Sequence, residues 1–277
     1  MNMKRLSQSP PLGCQGPPRQ LPRRPPAVER RRPATVSLGE PGLDAALPEG
    51  GLELGVVHEI VPAGPGDVAA TIGFGLGLLT RIAAARPGPV LWATTRDPGR
   101  HGIAYPPGLA AAGFDPGRLI HLSVGTAHDV LWALEESLAT PGFAVAIGIL
   151  ARDIGRYDFT ASRRLSLRAA ASGGTAIVLG TAGGGAAGST AAATRWSVAA
   201  RPSVPVRHPG HAMPGLGPPR WQVALERCKR GRPHDWLVEW DHETLRFHLA
   251  APLADRAPVP EGIGARPRPA AADWRAA

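Results

Sequence analysis

Val56-Val57-His58-Glu59-Ile60-Val61-Pro62-Ala63-Gly64-Pro65-Gly66-Asp67, running on into Val68-Ala69-Ala70-Thr71-Ile72, decides the fold. A β-branched run, a glycine- and proline-bearing turn and then spaced apolar residues read as strand, loop and helix. Many folds hold a triphosphate at that junction, with loop amides and a lysine offsetting its charge. Here the only lysines are Lys4 and Lys229, and no Gly-Lys pair exists in any frame. Gly64 and Gly66 can offer amides to an anion, but Pro65 has none to offer. Val68 stands where the lysine is required. The layout is that of a nucleotide hydrolase without its chemistry. Gly64, Pro65, Gly66, Asp67 and Val68 are therefore expected to form a vestigial loop holding neither ATP nor magnesium, and no residue is assigned a catalytic role.

Outward from that loop, Asp67 is a helix N-cap candidate for a run to about Ala85, with Ile72, Leu76, Leu79 and Ile82 on one face. Gly73, Gly75 and Gly77 each weaken such a helix by about 1 kcal/mol relative to alanine unless close packing requires them. Further strands are expected at Pro89–Thr94, Leu119–Ser123, Phe143–Leu150 and Thr175–Leu179. Helices are expected at Pro107–Gly113, after Thr126 with Asp129, and at Phe159–Ala171. Short apolar strands alternating with helices specify an α/β fold with a mostly parallel sheet flanked by helices. Beyond Thr194 the period becomes two. Trp221, Val223 and Leu225, then Trp236, Val238 and Trp240, then Leu245, Phe247 and Leu249 predict a C-terminal antiparallel β meander. The expected organisation is a disordered Pro/Arg-rich tail over 1–34, a core over 35–200, a Pro/Gly-rich connector over 201–219, the meander over 220–253 and a loose tail over 254–277.

The other chemical motifs are thin. The strand ending at Leu150 carries no carboxylate to hold magnesium. Asp153 follows it among arginines and reads as surface-paired. Gly183-Gly184-Gly185-Ala186-Ala187-Gly188-Ser189-Thr190 resembles a phosphate loop only superficially, with Ser189 in the lysine slot. His58 and His121 lie within strands and read as structural. His208, His211, His234, His242 and His248 lack metal-ligand spacing, and Cys14 and Cys228 are the only cysteines, so no metal site is expected.

Residues 1–34 hold eight basic residues against Glu29, which accounts for seven of the nine net positive charges of the 277-residue chain. That segment is a candidate DNA-phosphate arm, although it has no aromatic residue to stack on bases. No apolar run is read as approaching membrane-spanning length and the N-terminal prolines interrupt any signal-like core, so a cytoplasmic location is expected. Arg220, Arg227, Lys229, Arg230 and Arg232 interleave with tryptophans. This makes Trp221, Arg227, Arg230, Trp236 and Trp240 candidate partner-binding residues. The short helix around Leu43 to Leu47 is a second candidate surface.

From Ser37-Leu38-Gly39 through Leu43-Asp44, Gly50-Gly51-Leu52, Gly55 and His58-Glu59-Ile60, the chain resembles the opening of a RecA-type core. It also resembles the ImuA family, bacterial RecA-like proteins of damage-inducible mutagenesis. The segments carrying this are Ser162-Arg163-Arg164-Leu165, Ala193-Thr194-Arg195-Trp196-Ser197-Val198, Trp221-Gln222-Val223-Ala224-Leu225-Glu226-Arg227-Cys228-Lys229-Arg230-Gly231-Arg232-Pro233 and Leu237-Val238-Glu239-Trp240. The resemblance implies an accessory protein of SOS-type translesion synthesis. Its expected partners are ImuB and RecA, with an error-prone DnaE-type polymerase reached indirectly. Matched to RecA, the phosphate-loop lysine falls on Val68, the following hydroxyl on Ala69, the catalytic glutamate near Thr95 and the magnesium-side aspartate near Gly148. The RecA DNA-contacting loop falls on Thr181 to Ala193, which holds no basic residue. A non-catalytic role is the expectation. A weak RecA-superfamily ATPase, a SulA-like cell-division inhibitor and a DNA-binding accessory are the alternatives.

Overall fold

Runs of valine, isoleucine and leucine with no interior charge produce strands buried on both faces, as a parallel sheet requires. The computed structural model describes residues 33–96, 104–150, 157–180, 188–207, 209–210 and 213–251. The tails, the stretch around Asp153, the glycine run at 183–187, and His208 and His211 lie wholly or largely outside the described residues.

The strands are β1 (Thr35–Val36), β2 (Leu52–Glu53), β3 (Val57–Pro62), β4 (Val90–Thr95), β5 (Leu119–Val124), β6 (Val145–Leu150), β7 (Ala176–Gly180), β8 (Thr194–Arg201), β9 (Arg220–Cys228), β10 (His234–Asp241) and β11 (Arg246–Leu249). The helices are α1 (Pro41–Asp44), α2 (Val68–Ala85), α3 (Pro106–Ala111), α4 (Ala127–Ala139) and α5 (Phe159–Ser172). β1 and β2 form a small antiparallel pair. The other nine strands make one sheet in the order β11-β10-β9-β8-β3-β7-β6-β4-β5. From β8 to β5 every neighbour is parallel; from β8 outward to β11 every neighbour is antiparallel. The α/β class, the mostly parallel sheet and the C-terminal meander are thus as the sequence specifies. The meander hydrogen-bonds directly onto the core sheet through β8 and β9.

Two apolar layers sandwich the sheet. α2 covers one face together with Ile60, Ile147, Leu179, Trp196, Val223 and Trp240. α4 and α5 cover the other, over Val57, Leu91, Ala146 and Val178. Thr126 and Asp129 form the expected capping box at the start of α4, each side chain accepting the other's backbone N–H, at 3.2 and 3.0 Å. α2 departs from expectation in its orientation. Phe74, Leu78, Leu79 and Ile82 are buried, whereas Ile72 and Leu76 are half-buried. The reason is the glycines, which let the helix lie close against bulky side chains. A methyl group added at Gly77 would sit 2.6 Å from the Phe247 ring, and at Gly73 or Gly75 it would sit 3.0 Å from Trp221 or Leu179. Helix propensity is given up there for close approach.

The expectation of no membrane-length apolar run is also corrected: Pro65–Ala85 is long and apolar enough to qualify by length and composition. In this structure that helix packs on the sheet with over half of it buried. Its C-terminal end is held by Arg118, whose guanidinium donates to the carbonyls of Ala83 (2.8 Å), Arg86 (2.7 Å) and Gly88 (2.7 and 2.8 Å). These include carbonyls the last helical turn leaves without partners.

Candidate functional site

The turn after β3 is the place to look for anion chemistry. Pro65–Asp67 is a single 3-10 turn running straight into α2, and no residue between Ala63 and Val68 has a positive φ. A phosphate-cradling nest needs alternating right- and left-handed residues to aim successive amides at one point. Asp67 does not cap α2 with its side chain, contrary to expectation. One carboxylate oxygen instead accepts from Gly64 N at 3.0 Å and the other from Ala200 N on β8 at 2.8 Å. Ala63 N donates to Val198 O at 2.9 Å, so the turn is tied along β8. An anionic side chain thus occupies the amide that a phosphate would use.

The other matched positions offer no replacement. Val68 and Ala69 lie on the first turn of α2. Thr95 ends β4. Gly148 lies under α4, where a Cβ would meet the Leu134 side chain at 2.7 Å, so a larger residue there requires that side chain to shift.

The proposed Trp/Arg surface takes a different form from the one read in sequence. Trp221, Trp236 and Trp240 are 4%, 6% and 2% exposed. Trp221 packs on Phe74 of α2 at 6.1 Å, Trp240 on Phe247 at 4.9 Å and Trp236 on Trp196 at 6.1 Å. Period-two burial turns these three side chains inward, so they are core residues of the meander rather than a presented surface. Leu43 and Leu47 are likewise buried, which removes the N-terminal helix as an apolar surface. Of the third predicted strand, only Phe247 is buried; Leu245 sits in a turn at φ 54° and Leu249 is exposed.

The basic residues are largely committed internally. Arg227 donates to Thr190 O at 2.8 Å and Thr190 Oγ1 at 2.5 Å. Arg230 pairs with Glu49 at 3.1 Å and Glu53 at 3.6 Å. Arg220 pairs with Glu239, and Lys229 donates to Ala191 O. Burial and then the neighbouring Arg227 lower the Lys229 pKa.

No protein-family model matches the chain. Two curated proteins named Protein ImuA, from Caulobacter vibrioides strains NA1000 / CB15N and ATCC 19089 / CIP 103742 / CB 15, are each 37% identical to it over 239 residues. Each alignment spans 81% of this chain and 93% of the relative. The chain belongs to the ImuA family.

This ImuA-family chain also contains a buried polar cluster that strand patterning does not reveal. Glu59, in mid-β3, is 3% exposed. Arg195 of β8 and Arg227 of β9 approach one of its carboxylate oxygens at 3.7 and 3.6 Å. A register shift between Arg195 and Trp196 sets Arg227 directly opposite Arg195, so both guanidinium groups reach the same acid. Tyr157 is buried alongside. Desolvation first, and then the Glu59 charge, raise its hydroxyl pKa well above the usual value. Arg195 also donates from Nε to Glu226 at 3.1 Å, so two carboxylates balance the two arginines, and Arg227 anchors Thr190 to the meander. A run such as Val57-His58-Glu59-Ile60 signals only a strand, because the partners arrive from more than a hundred residues away.

On the opposite face of β3, His58 is fully buried. Its Nε2 lies 2.8 Å from Glu53 O and its Nδ1 2.7 Å from Thr194 Oγ1, which in turn accepts from Trp196 Nε1 at 2.9 Å. A carbonyl only accepts, so Nε2 carries the proton and Nδ1 receives the threonine hydroxyl. His58 is a packed, neutral structural residue, with its pKa lowered to about 4 by desolvation.

Proposed function

We propose that this chain is a non-catalytic, RecA-like accessory protein of damage-inducible mutagenesis. It acts in the cytoplasm by contact, joining ImuB and RecA and through them an error-prone DnaE-type polymerase at damaged DNA. Kinship with proteins named ImuA supports the setting. The observation that carries the non-catalytic part is the Asp67 carboxylate on the Gly64 amide, in a turn with no lysine and no left-handed residue. A triphosphate placed there would meet a negative charge where it needs donors and a cation.

Isothermal calorimetry with Mg-ATP tests the chemistry: no heat of binding at micromolar protein is expected. Micromolar affinity, or turnover lost on Asp67→Ala, would replace this reading with a weak ATPase. Co-purification of the full chain with ImuB and with RecA tests the assembly, and capture of neither would sink it.

A further inference from the structure

α2, α4 and α5 all end at the edge of the sheet where β6 and β7 begin, opposite the turn after β3. A cavity of about 400 Å³ lies between those ends. That volume is within the range of small-molecule sites. Leu138, Pro141 and Phe143 form an apolar wall, and the charged side chains on the lining are Arg86 and Arg168. No carboxylate among the described residues lines it. The chain holds no acidic residue from Phe159 to Leu225, so α5 and β7 bring none.

The neutral polar groups of the lining are already engaged. Ser137 donates to Leu134 O at 2.8 Å, Thr140 to Glu136 O at 2.8 Å and Ser172 to Arg168 O at 3.0 Å. Thr175 Oγ1 accepts from Gly55 N at 2.9 Å. Helix C-termini carry partial negative charge. Here, however, the carbonyls of Ile82, Glu136 and Ala169 accept from the capping N–H groups of Arg86, Thr140 and Gly173. Arg86 uses only Nη1, on Gly173 O at 2.8 Å and Thr175 Oγ1 at 3.5 Å. Its Nε and Nη2, and the whole Arg168 guanidinium, have no partner among the described residues. The hydrogen-bonding capacity left to a ligand is therefore cationic and donor-only.

We infer that this cavity binds a small phosphate monoester bearing an apolar group. The phosphate sits between Arg86 and Arg168, and the organic part lies on Leu138 and Phe143. Two guanidinium groups match a dianion in charge. One guanidinium fork fills both oxygens of a carboxylate, whereas the three terminal oxygens of a phosphate can be shared by two forks. No carboxylate or histidine lines the cavity to activate a nucleophile, so the ligand is held and not turned over.

The probe is phenyl phosphate, titrated into the full chain by calorimetry, with thermal melts in parallel. Saturable binding and a rise in melting temperature are expected, since a ligand held only by the folded state shifts unfolding by mass action. Arg168→Ala should weaken affinity by about tenfold or more. Ala171→Trp, which fills the cavity from its rim, should abolish binding. Both positions are exposed, so circular dichroism should show an unchanged fold. Arg86 is left intact because it holds the Gly173 carbonyl at the end of α5. Phenol should not bind, and inorganic phosphate should bind more weakly than the ester. No binding of phenyl phosphate, equal affinity for phenol, or wild-type affinity in either variant would overturn the inference. The outcome does not depend on whether the chain captures ImuB or RecA.

Discussion

His58 and Glu59 are adjacent in β3 and face opposite sides of the sheet, yet each places a titratable group in the interior. For His58 the folded pKa of about 4 lies below the ordinary 6.5. The unfolded chain therefore takes up more protons between those values. The contribution of the neutral ring is complete above pH 6.5 and is lost as pH falls toward 4, about 3 kcal/mol over the window. Urea unfolding at stepped pH should show that decline, and His58→Gln, which keeps a donor and an acceptor, should flatten it. Glu59 is tested differently. Glu59→Ala leaves Arg195 and Arg227 facing one another without their shared anion, and a loss of about 3 kcal/mol is expected by denaturant unfolding at pH 7. Neither partner set was legible in sequence. The strand was, but the bulge that aligns Arg227 with Arg195 leaves no local signature.

At the scale of elements, α2 shows what sequence conveys and where it stops. Its start, its end near Ala85 and the glycine puzzle were all readable from composition and spacing. Which face turned inward was not, because glycine lacks apolar weight in a periodicity count yet lies at the closest contact with Trp221 and Phe247. Gly77→Val is expected to destabilise by about 2 kcal/mol or more, despite better helix propensity, because the Phe247 ring has nowhere to move. Gly66→Ala, whose added methyl meets nothing within 4 Å, should leave the melting temperature nearly unchanged. Thermal melts of the two variants separate packing from backbone demand. The capping box at Thr126 was fully legible, since all its parts lie within four residues.

For the molecule as a whole, the meander is the lesson. Period-two alternation forecast three antiparallel strands correctly, but it fixes only that one face is covered. It does not say that the cover is α2 rather than a partner. Trp236→Ala with Trp240→Ala is therefore expected to lower the melting temperature steeply through a core cavity, each truncation costing about 3 kcal/mol or more. Loss of ImuB capture by that pair would report unfolding, not an interface. The basic meander side chains were legible as residues but not as pairs, because Glu49, Glu53 and Glu59 reach them only once the sheet has assembled.

The Asp67 tether sets the cost of altering this turn. A single codon change, Val68→Lys, would supply an ammonium without a cradle. Removing the carboxylate alone, by Asp67→Ala, would loosen the turn from β8 and still leave no cation. On the reading proposed above, neither step alone supplies a phosphate site, and the second also gives up the contact to β8. The same carboxylate that holds the turn against β8 therefore makes position 67 costly to change, whatever the loop binds.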